Sequence, residues 1–201
     1  MKQVTGSNSP SVPQRVSIQQ PLDGHSFSAS ALPEAAPDEG IVCELLTAKT
    51  LLVPAEEFDP QAAGALLAAA GMAPDATESA VWSEPEGEAV GVMAFDRTAI
   101  EALRTRYADA LHFATPLLGR FEPSVPAVLL DKRGGILYIK VYDRSLRLAE
   151  VVPAASEEDL LYVMESLNRV YALRSYEAQP GGTFSASERK LLRRYFKRVR
   201  S

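Results

Sequence analysis

Short runs of alternating apolar and polar residues recur along this chain, separated by aspartate and glycine. Residues 16–20 and 26–30 alternate in this way on either side of Asp23 and Gly24. Asp-Gly between two alternating runs is a strong hairpin signal, because the turn needs a positive φ that glycine adopts at little cost. The pattern therefore predicts a β-hairpin near the N-terminus, followed by a loop over residues 31–40.

The same arrangement returns more than a hundred residues later. Apolar runs at residues 128–130, 136–142 and 146–152 predict a three-stranded meander. The turn between the first two runs contains Asp131, Gly134 and Gly135. Two units that each read strand, Asp/Gly turn and strand predict an internally duplicated fold with two lobes.

Further strands and helices follow from the spacing of apolar residues. Asp59 can cap a helix whose first position accepts Pro60 and which Gly71 ends. The last helix is predicted to run through Tyr195, Phe196 and Val199 with its basic residues on the other side. Capping-box spacing marks three helix starts: Thr98 with Glu101, Ser156 with Asp159, and Ser185 with Glu188. The remaining strand-like runs are residues 41–53 (with an optional turn at 48–49), 78–82, 89–95, 111–114 and 174–178, the last followed by a glycine turn at 181–182.

Together these elements predict an α/β fold with mixed α+β sheets, because strands come first and a helix closes each half. We expect a disordered tail over residues 1–14, an N-terminal lobe over 15–114 and a C-terminal lobe over 115–201. The composition is that of a globular protein, with 46% hydrophobic and 23% charged residues among 201.

Charge is unevenly distributed along the chain. The formal net charge is −5, but residues 186–201 contain seven Lys and Arg against one Glu, so they carry +6 and the rest carries −11. A basic end helix on an acidic body can attract an acidic partner or dock on its own body. The longest apolar run, residues 62–73, is shorter than the roughly 20 residues of a membrane span, and no signal-like segment opens the chain. We therefore expect a cytoplasmic protein.

Residue types that carry metal or redox chemistry are scarce. His25 and His112 are the only histidines, and neither has a partner at metal-ligand spacing. The single Cys43 excludes an internal disulfide and lies in an apolar stretch, so we expect it to be buried. P-loop, nucleophile-elbow and CxxC motifs are absent. No catalytic residue and no metal ligand is predicted on these grounds.

The second half reads V-L-L-D-K-R-G-G-I-L-Y-I-K-V-Y-D, then L-R-L-A-E-V-V-P, then the helix from Ser156. This order resembles the phosphate-binding unit of the actin-like ATPase superfamily, whose core is ribonuclease-H-like. The first half offers a matching turn at Asp23 and Gly24. Gly181 and Gly182 stand where the superfamily places an adenosine-contacting Gly-Gly. The segments S-I-Q-Q-P-L-D-G-H-S-F-S, K-T-L-L-V-P-A-E-E-F and E-D-L-L-Y-V-M resemble a small bacterial family of unknown function assigned to this fold, over most of residues 15–200.

The resemblance implies facing turns that hold Mg-ATP. Glycine-rich turns let backbone N–H groups approach phosphate oxygens. An Asp at a strand end can hold Mg²⁺ through water molecules. The nucleotide-site residues that the resemblance implies are Asp23, Gly24, Ser26, Asp131, Gly134, Gly135, Gly181 and Gly182.

Departures from the superfamily favour a non-catalytic protein. The chain is short for an actin-like ATPase, the first turn has one glycine, and no acid or glutamine that would activate water is recognisable. Lys132 and Arg133 follow Asp131 where small residues are usual. We therefore predict a scaffold or interaction protein without a cofactor, which binds a protein partner or a second copy of itself and not a membrane. The alternative is an ATPase or small-molecule kinase that uses Asp23 and Asp131 around Mg²⁺.

A second alternative is a nucleic-acid-associated protein that uses the basic end helix. Lys and Arg at this density can contact RNA or DNA phosphates. The residues concerned are Arg189, Lys190, Arg193, Arg194, Lys197 and Arg198.

Overall fold

The computed structural model describes residues 13–19, 32 and 40–200. In this part of the chain there are eleven strands and four α-helices. The helices are α1 (Ala63–Ala69), α2 (Arg97–Tyr107), α3 (Glu157–Val170) and α4 (Ala186–Tyr195). The strands are β1 (Gln14–Gln19), β2 (Ile41–Leu46), β3 (Thr50–Pro54), β4 (Glu78–Trp82), β5 (Ala89–Asp96), β6 (Leu111–Ala114), β7 (Ala127–Arg133), β8 (Ile136–Asp143), β9 (Ser145–Pro153), β10 (Glu177–Gly182) and β11 (Arg198–Val199).

The second half of the chain forms one five-stranded sheet, here called the C-terminal sheet, in the order β11-β10-β7-β8-β9. Strands β7, β8 and β9 are an antiparallel meander, as the sequence predicted. Strands β10 and β11 add in parallel on the other side of β7, after crossovers through α3 and α4. Gly134 and Gly135 make the β7–β8 turn with φ of 54° and 80°, which explains the glycine pair.

The C-terminal sheet is buried on both faces, and side chains alternate between them. Leu137, Ile139 and Val141 of β8 pack with α3 and α4 in the largest core cluster. Ile136 and Tyr138 belong to a different cluster, which they form with residues of the first half of the chain. By the same alternation Lys140 and Tyr142 lie on this second face. We call it the inter-lobe face.

Two three-stranded sheets make up the first half. One is parallel with the order β1-β2-β6, and the other is antiparallel with the order β3-β5-β4. The run 41–53, expected as one strand with an optional turn, divides into β2 and β3 in different sheets. Helix α2 buries Ile100, Leu103 and Tyr107, the three residues of its apolar face, against strands of both sheets. The predicted lobe boundary falls between β6 and the connecting segment that begins at Thr115, and it stays a prediction.

Helix starts agree with the sequence at three of four places. Asp59 caps the 3-10 turn that leads into α1, and the capping boxes of α3 and α4 are formed. The capping box at Thr98 and Glu101 is wrong, because Asp96 caps α2 by accepting a 2.7 Å hydrogen bond from the Ala99 N–H. Asp96 is the last residue of β5, and its ψ of 124° is non-helical, as an N-cap requires.

The end of the chain differs from the prediction. Helix α4 stops at Tyr195, and Phe196 is extended with its N–H bonded to the Leu192 carbonyl oxygen. Val199 belongs to β11, which pairs with β10. Phe196 is buried, and Val199 packs against the same core from a strand. The spacing of these apolar residues therefore predicted a longer helix than the one that forms.

Several predictions concern residues outside the described part of the chain. These are the N-terminal tail up to residue 12, the strand at 26–30 and the turn with Asp23 and Gly24. The predicted duplication of the strand, Asp/Gly turn and strand unit in the first half therefore stays a prediction. Among the four described helices, none has both the length and the apolar character that crossing a bilayer requires.

Candidate functional site: the inter-lobe face of the C-terminal sheet

Asp131 and the four glycines predicted to surround it come together at one end of the C-terminal sheet. Asp131 lies within β7, opposite Tyr138 of β8 and Gly181 of β10. The expected turn over residues 131–135 is shorter than predicted, because β7 continues to Arg133 and the two glycines alone reverse the chain. Asp23, Gly24 and Ser26 lie outside the described residues, so their position relative to Asp131 is not part of the site described below.

Gly181 and Gly182 are strand residues, not the turn that the sequence predicted. They pair with Asp131 and Lys132 in the parallel register of β10 and β7. A Cβ on Gly181 would lie 3.2 Å from Oδ1 of Asp131, and a Cβ on Gly182 would lie 2.0 Å from the Lys132 carbonyl oxygen. Gly182 also has a φ of +69°. The glycine pair thus allows close approach of two strands and leaves room for the Asp131 side chain.

Arg133 joins this end of the sheet to the parallel sheet of the first half. Its Nε donates a 2.9 Å hydrogen bond to Oδ2 of Asp131, and its Nη1 pairs with the Glu44 carboxylate on β2. Ser17 Oγ on β1 donates to Glu44 at 3.0 Å. Gln19 Nε2 donates to the Gly134 carbonyl oxygen. We call the group Ser17, Glu44, Asp131 and Arg133 the Arg133 network.

The Arg133 network is largely removed from solvent. Glu44 and Asp131 are each 9% exposed, and the Arg133 side chain is about one-third exposed. Burial lowers the pKa of Arg133, but Asp131 and Glu44 outweigh it and hold the pKa above its ordinary value. The guanidinium therefore stays charged, and it neutralises two carboxylates that burial alone would disfavour.

Two buried oxygen atoms beside this network have no hydrogen-bond partner among the described residues. They are Oδ1 of Asp131 and the hydroxyl of Tyr138. The Tyr138 hydroxyl lies near the Thr47 backbone without completing a hydrogen bond, and burial, Glu44 and Asp131 raise its pKa. Oδ1 of Asp131 is removed from solvent, and the missing side chain of Gly181 leaves the space in which it lies.

The described residues of this arrangement do not by themselves fit a Mg²⁺-phosphate group. A hydrated Mg²⁺ needs a carboxylate that faces water, whereas Oδ2 of Asp131 is held by a guanidinium and Oδ1 is removed from solvent.

Lys132 points the other way, towards the helices. Its Nζ pairs with Glu188 of α4, and both residues are more than nine-tenths buried. Glu188 also completes the capping box, since its Oε2 accepts from the Ser185 N–H at 2.7 Å. Burial raises the pKa of Glu188, but the hydrogen bonds from Lys132 and Ser185 outweigh it and leave the pKa below its ordinary value.

The basic residues near the C-terminus do not share one helix. Lys190, Arg193 and Arg194 are exposed on α4, and Arg189 is half-buried there. Lys197 and Arg198 lie beyond the helix end, which corrects the prediction that one helix presents all six. Arg198 pairs with Glu177 of β10 at 3.0 Å, and Arg200 pairs with the same carboxylate at 2.7 Å. Part of the positive charge is therefore already matched by the protein itself.

Three cavities in the described part of the chain could accept a ligand of some size. One, of about 730 Å³, lies in the first half between the rings of Phe58, Trp82 and Phe113, with Arg104 5.8 Å from the centre of the Phe113 ring. A second, of about 860 Å³, lies on the inter-lobe face beside Lys140. The third, of about 400 Å³, lies between Val125, Arg174 and Lys197.

The predictions for the single cysteine, Cys43, and for His112 can both be compared with the structure. Cys43 is fully buried on β2, as expected, and burial together with Glu44 raises the pKa of its thiol to about 12. Such a thiol is not a nucleophile at neutral pH. His112 lines the first cavity, and its Nδ1 lies 2.9 Å from Glu84 Oε1. No group of metal-ligating side chains occurs among the described residues.

Glu44 and Lys140 are site residues that the sequence prediction missed. Each is the only charged residue in an otherwise apolar strand run, I-V-C-E-L-L and I-L-Y-I-K-V-Y. A charge inside a strand that is buried on both faces must find a partner or line a cavity. That signal was present in the sequence and would have found both.

The fold is similar to that of a protein of unknown function with an actin-like ATPase fold from Bacteroides thetaiotaomicron. The TM-score is 0.70 at 14% identity, over 93% of this chain and 90% of that chain. The cytoplasmic domain of EpsL, an inner-membrane component of the type II secretion system of Vibrio cholerae, aligns with a TM-score of 0.43 at 10% identity, over 90% of this chain and 93% of that chain. Neither a protein family model nor a curated protein matches the chain. The chain therefore has an actin-like ATPase fold, as the sequence predicted.

Proposed function

We propose that this protein is a non-catalytic protein of actin-like fold that acts by binding another protein. The observation that carries this proposal is the position of Arg133. It is bound to Asp131 of its own strand and to Glu44 of the opposite sheet, at the place where the resemblance implied a phosphate site. The Arg133 guanidinium connects the two halves of the molecule. In an ATPase of this fold, Mg-ATP would make that connection.

Exposed apolar side chains support the protein-binding part of the proposal. On α3, Tyr162 is 71% and Val170 is 75% exposed, although this helix buries its other face in the core. A protein partner that packs on the exposed side of α3 would cover both side chains. The partner is either a second copy of the chain or a different protein.

Thermal unfolding with and without Mg-ATP tests the proposal. We expect 5 mM Mg-ATP, roughly a hundredfold excess over a 50 µM dissociation constant, to leave the Tm of the full chain unchanged within about 1 °C, whereas a bound nucleotide at that excess would add about 2.7 kcal/mol of stability. The matched variant is Asp131→Asn, which keeps the shape and removes the charge. A rise of several degrees in the wild type that is lost in Asp131→Asn would instead support the ATPase or kinase alternative.

The nucleic-acid alternative keeps one specific observation in its favour. Lys190, Arg193, Arg194 and Lys197 are exposed and make no ion pair with any described residue. Binding of single- or double-stranded RNA or DNA through these residues should weaken steeply with salt and be abolished by charge reversal at Arg193 and Arg194. Absent or salt-insensitive binding in a mobility-shift titration would remove this alternative.

A further inference from the structure

The cavity of about 860 Å³ on the inter-lobe face is lined by Leu52 of β3 and by three longer segments of the chain. These are the β4–β5 turn from Glu86 to Ala89, the connecting segment from Leu117 to Glu122, and the end of the β8–β9 hairpin from Lys140 to Leu146. Its volume lies within the range of small-molecule sites. A molecule bound here would contact both halves of the protein.

Lys140 is the unusual residue of this cavity. It is 6% exposed, and its Nζ makes one hydrogen bond, a 2.6 Å contact with the Gly119 carbonyl oxygen. An ammonium group has three N–H donors, so two remain for a ligand. No carboxylate among the described residues lies within ion-pair distance of Nζ. Burial lowers the pKa of Lys140, and the nearby Glu86 offsets only part of this effect.

The walls of the cavity combine apolar side chains with charged side chains at an exposed rim. The rings of Phe121 and Tyr142 meet edge to face with centres 5.5 Å apart, and they stand beside Leu52, Leu117 and Leu146. Leu146 is 42% exposed, which is high for a large apolar side chain. Lys140 is the one buried charged group among the residues that line the cavity, and a buried charge beside apolar walls favours a ligand with an apolar body and one opposite charge.

Exposed charges of both signs form the rim of the cavity. Glu86, Glu88 and Glu122 line it together with Arg120 and Arg144, and Arg120 is 3.0 Å from Glu122. Two guanidinium groups against three carboxylates leave one excess negative charge at the rim, which disfavours a dianion such as phosphate more than a monoanion. A single carboxylate can accept the two free N–H donors of Lys140 without adding a second negative charge.

We propose that this cavity binds an organic carboxylate whose apolar body packs between Phe121, Tyr142 and Leu146 and whose anionic end is held by Lys140. The carboxylate replaces the water that the buried ammonium lost on folding, and its charge compensates the ammonium in a medium of low dielectric constant. The ligand is either a free apolar acid or the C-terminal carboxylate of a protein. The site lies apart from the Arg133 network and does not depend on the function proposed above.

Binding of octanoate to the full chain tests this proposal, with 1-octanol as the uncharged probe of similar shape. By calorimetry we expect octanoate to bind and octanol to bind at least tenfold more weakly. Lys140→Gln should weaken octanoate binding roughly 10- to 100-fold, the loss expected for one charge-assisted hydrogen bond. The control Lys190→Gln, which removes a charge on α4, should leave the affinity unchanged.

Two further arms distinguish the source of the carboxylate. An N-acetylated Ala-Ala-Leu tripeptide with a free C-terminus is compared with the same peptide amidated at its C-terminus. Tighter binding of the free peptide than of octanoate assigns the site to protein C-termini, and the opposite order assigns it to free acids. Equal binding of octanoate and octanol, equal affinity of wild type and Lys140→Gln, or no binding of either acid at 10 mM would overturn the proposal.

If Lys140→Gln does not fold, the wild-type chain still gives an answer. Amine acetylation followed by mass spectrometry measures the reactivity of Lys140 relative to exposed lysines such as Lys190. Octanoate should slow modification of Lys140 at least fivefold and leave Lys190 unaffected. An unchanged rate at Lys140 would contradict the proposal.

Discussion

Arg133 and Lys140 stand at opposite ends of one face of the C-terminal sheet, and their surroundings differ. Arg133 meets two carboxylates, whereas Lys140 meets one carbonyl oxygen and a cavity. Lys140 is four residues along β8 from Ile136, the cross-strand partner of Arg133, which is roughly 13 Å. One end of the face is closed by matched charges, and the other holds a charge with unused donors.

This difference between Arg133 and Lys140 indicates where the protein can bind a ligand. A buried cation with carboxylate partners is a structural connection, because its removal leaves the partners uncompensated. A buried cation without such partners destabilises its own charged form and gains from any anion that reaches it. Lys132, which pairs with Glu188 on the helix side of the sheet, is also a cation with a carboxylate partner, and it is buried more deeply than Arg133. Substitution of these three cations should therefore have graded effects.

The largest effect should come from Lys132→Met. The substitution leaves the Glu188 carboxylate buried without its cation, and breaking such a pair costs about 3–5 kcal/mol. Urea unfolding of the full chain should show the midpoint fall accordingly. The exposed Lys190→Met on α4 is the matched control and should change the free energy of unfolding by less than about 0.5 kcal/mol.

A double variant separates the pair from general damage to the core. Adding Glu188→Gln to Lys132→Met should restore more than half of the lost stability, because Gln keeps the capping-box hydrogen bond and removes the uncompensated charge. A double variant as unstable as the sum of the two single variants would show that the pair is not the cause.

Arg133→Met should have the next largest effect, about 2 kcal/mol, because two carboxylates lose their cation while partial exposure of the site lets water compensate in part. Chemical unfolding measures the loss, and Glu44→Gln in the same chain should recover part of it. Lys140→Met, in the same sheet face, is the comparison variant. If Arg133→Met and Lys140→Met are equally destabilising, the distinction between matched and unmatched cations fails.

Local sequence signals predicted the elements of this face well. The glycine pair after Arg133 marked the β7–β8 turn, and the capping boxes at Ser156 and Ser185 marked the two helices behind the sheet. These features depend on residues within a few positions of each other, so one sequence contains all that is needed. The fold class followed from their order.

The network that closes one end of the face could not be predicted in the same way. Arg133 and Glu44 are 89 positions apart, and only the packing of two sheets brings them together. The same limit explains α4, where Phe196 and Val199 are buried from extended backbone that apolar spacing alone does not distinguish from helix. A lone charge in an apolar strand indicates a site but not its partner.

Acid should weaken the pair of Lys132 and Glu188, by less than the substitutions above. The pKa of Glu188 is below its ordinary value of 4.5 in the folded chain. Between the two values the unfolded chain binds the proton first, so the stability that Glu188 contributes is present above pH 4.5 and lost as pH falls through the folded value. Unfolding of wild type and Glu188→Gln at pH 3 to 7 should show their difference shrink in acid. A constant difference would contradict the assignment.

Lys140 should give the smallest effect and the opposite pH dependence. Lys140→Gln should change the free energy of unfolding near pH 7 by less than about 1 kcal/mol, because the variant loses one hydrogen bond to a neutral acceptor but also removes a buried charge.

Burial lowers the pKa of Lys140 below 10.5, with Glu86 acting against it. As pH rises towards 10.5 the folded chain releases the proton before the unfolded chain does, so wild type gains stability relative to Lys140→Gln. Paired unfolding curves from pH 7 to 10 measure this gain. Saturating octanoate should abolish it over the same range, because a bound carboxylate holds the proton on Lys140. A gain that octanoate leaves unchanged would mean that the lysine and the cavity are not one site.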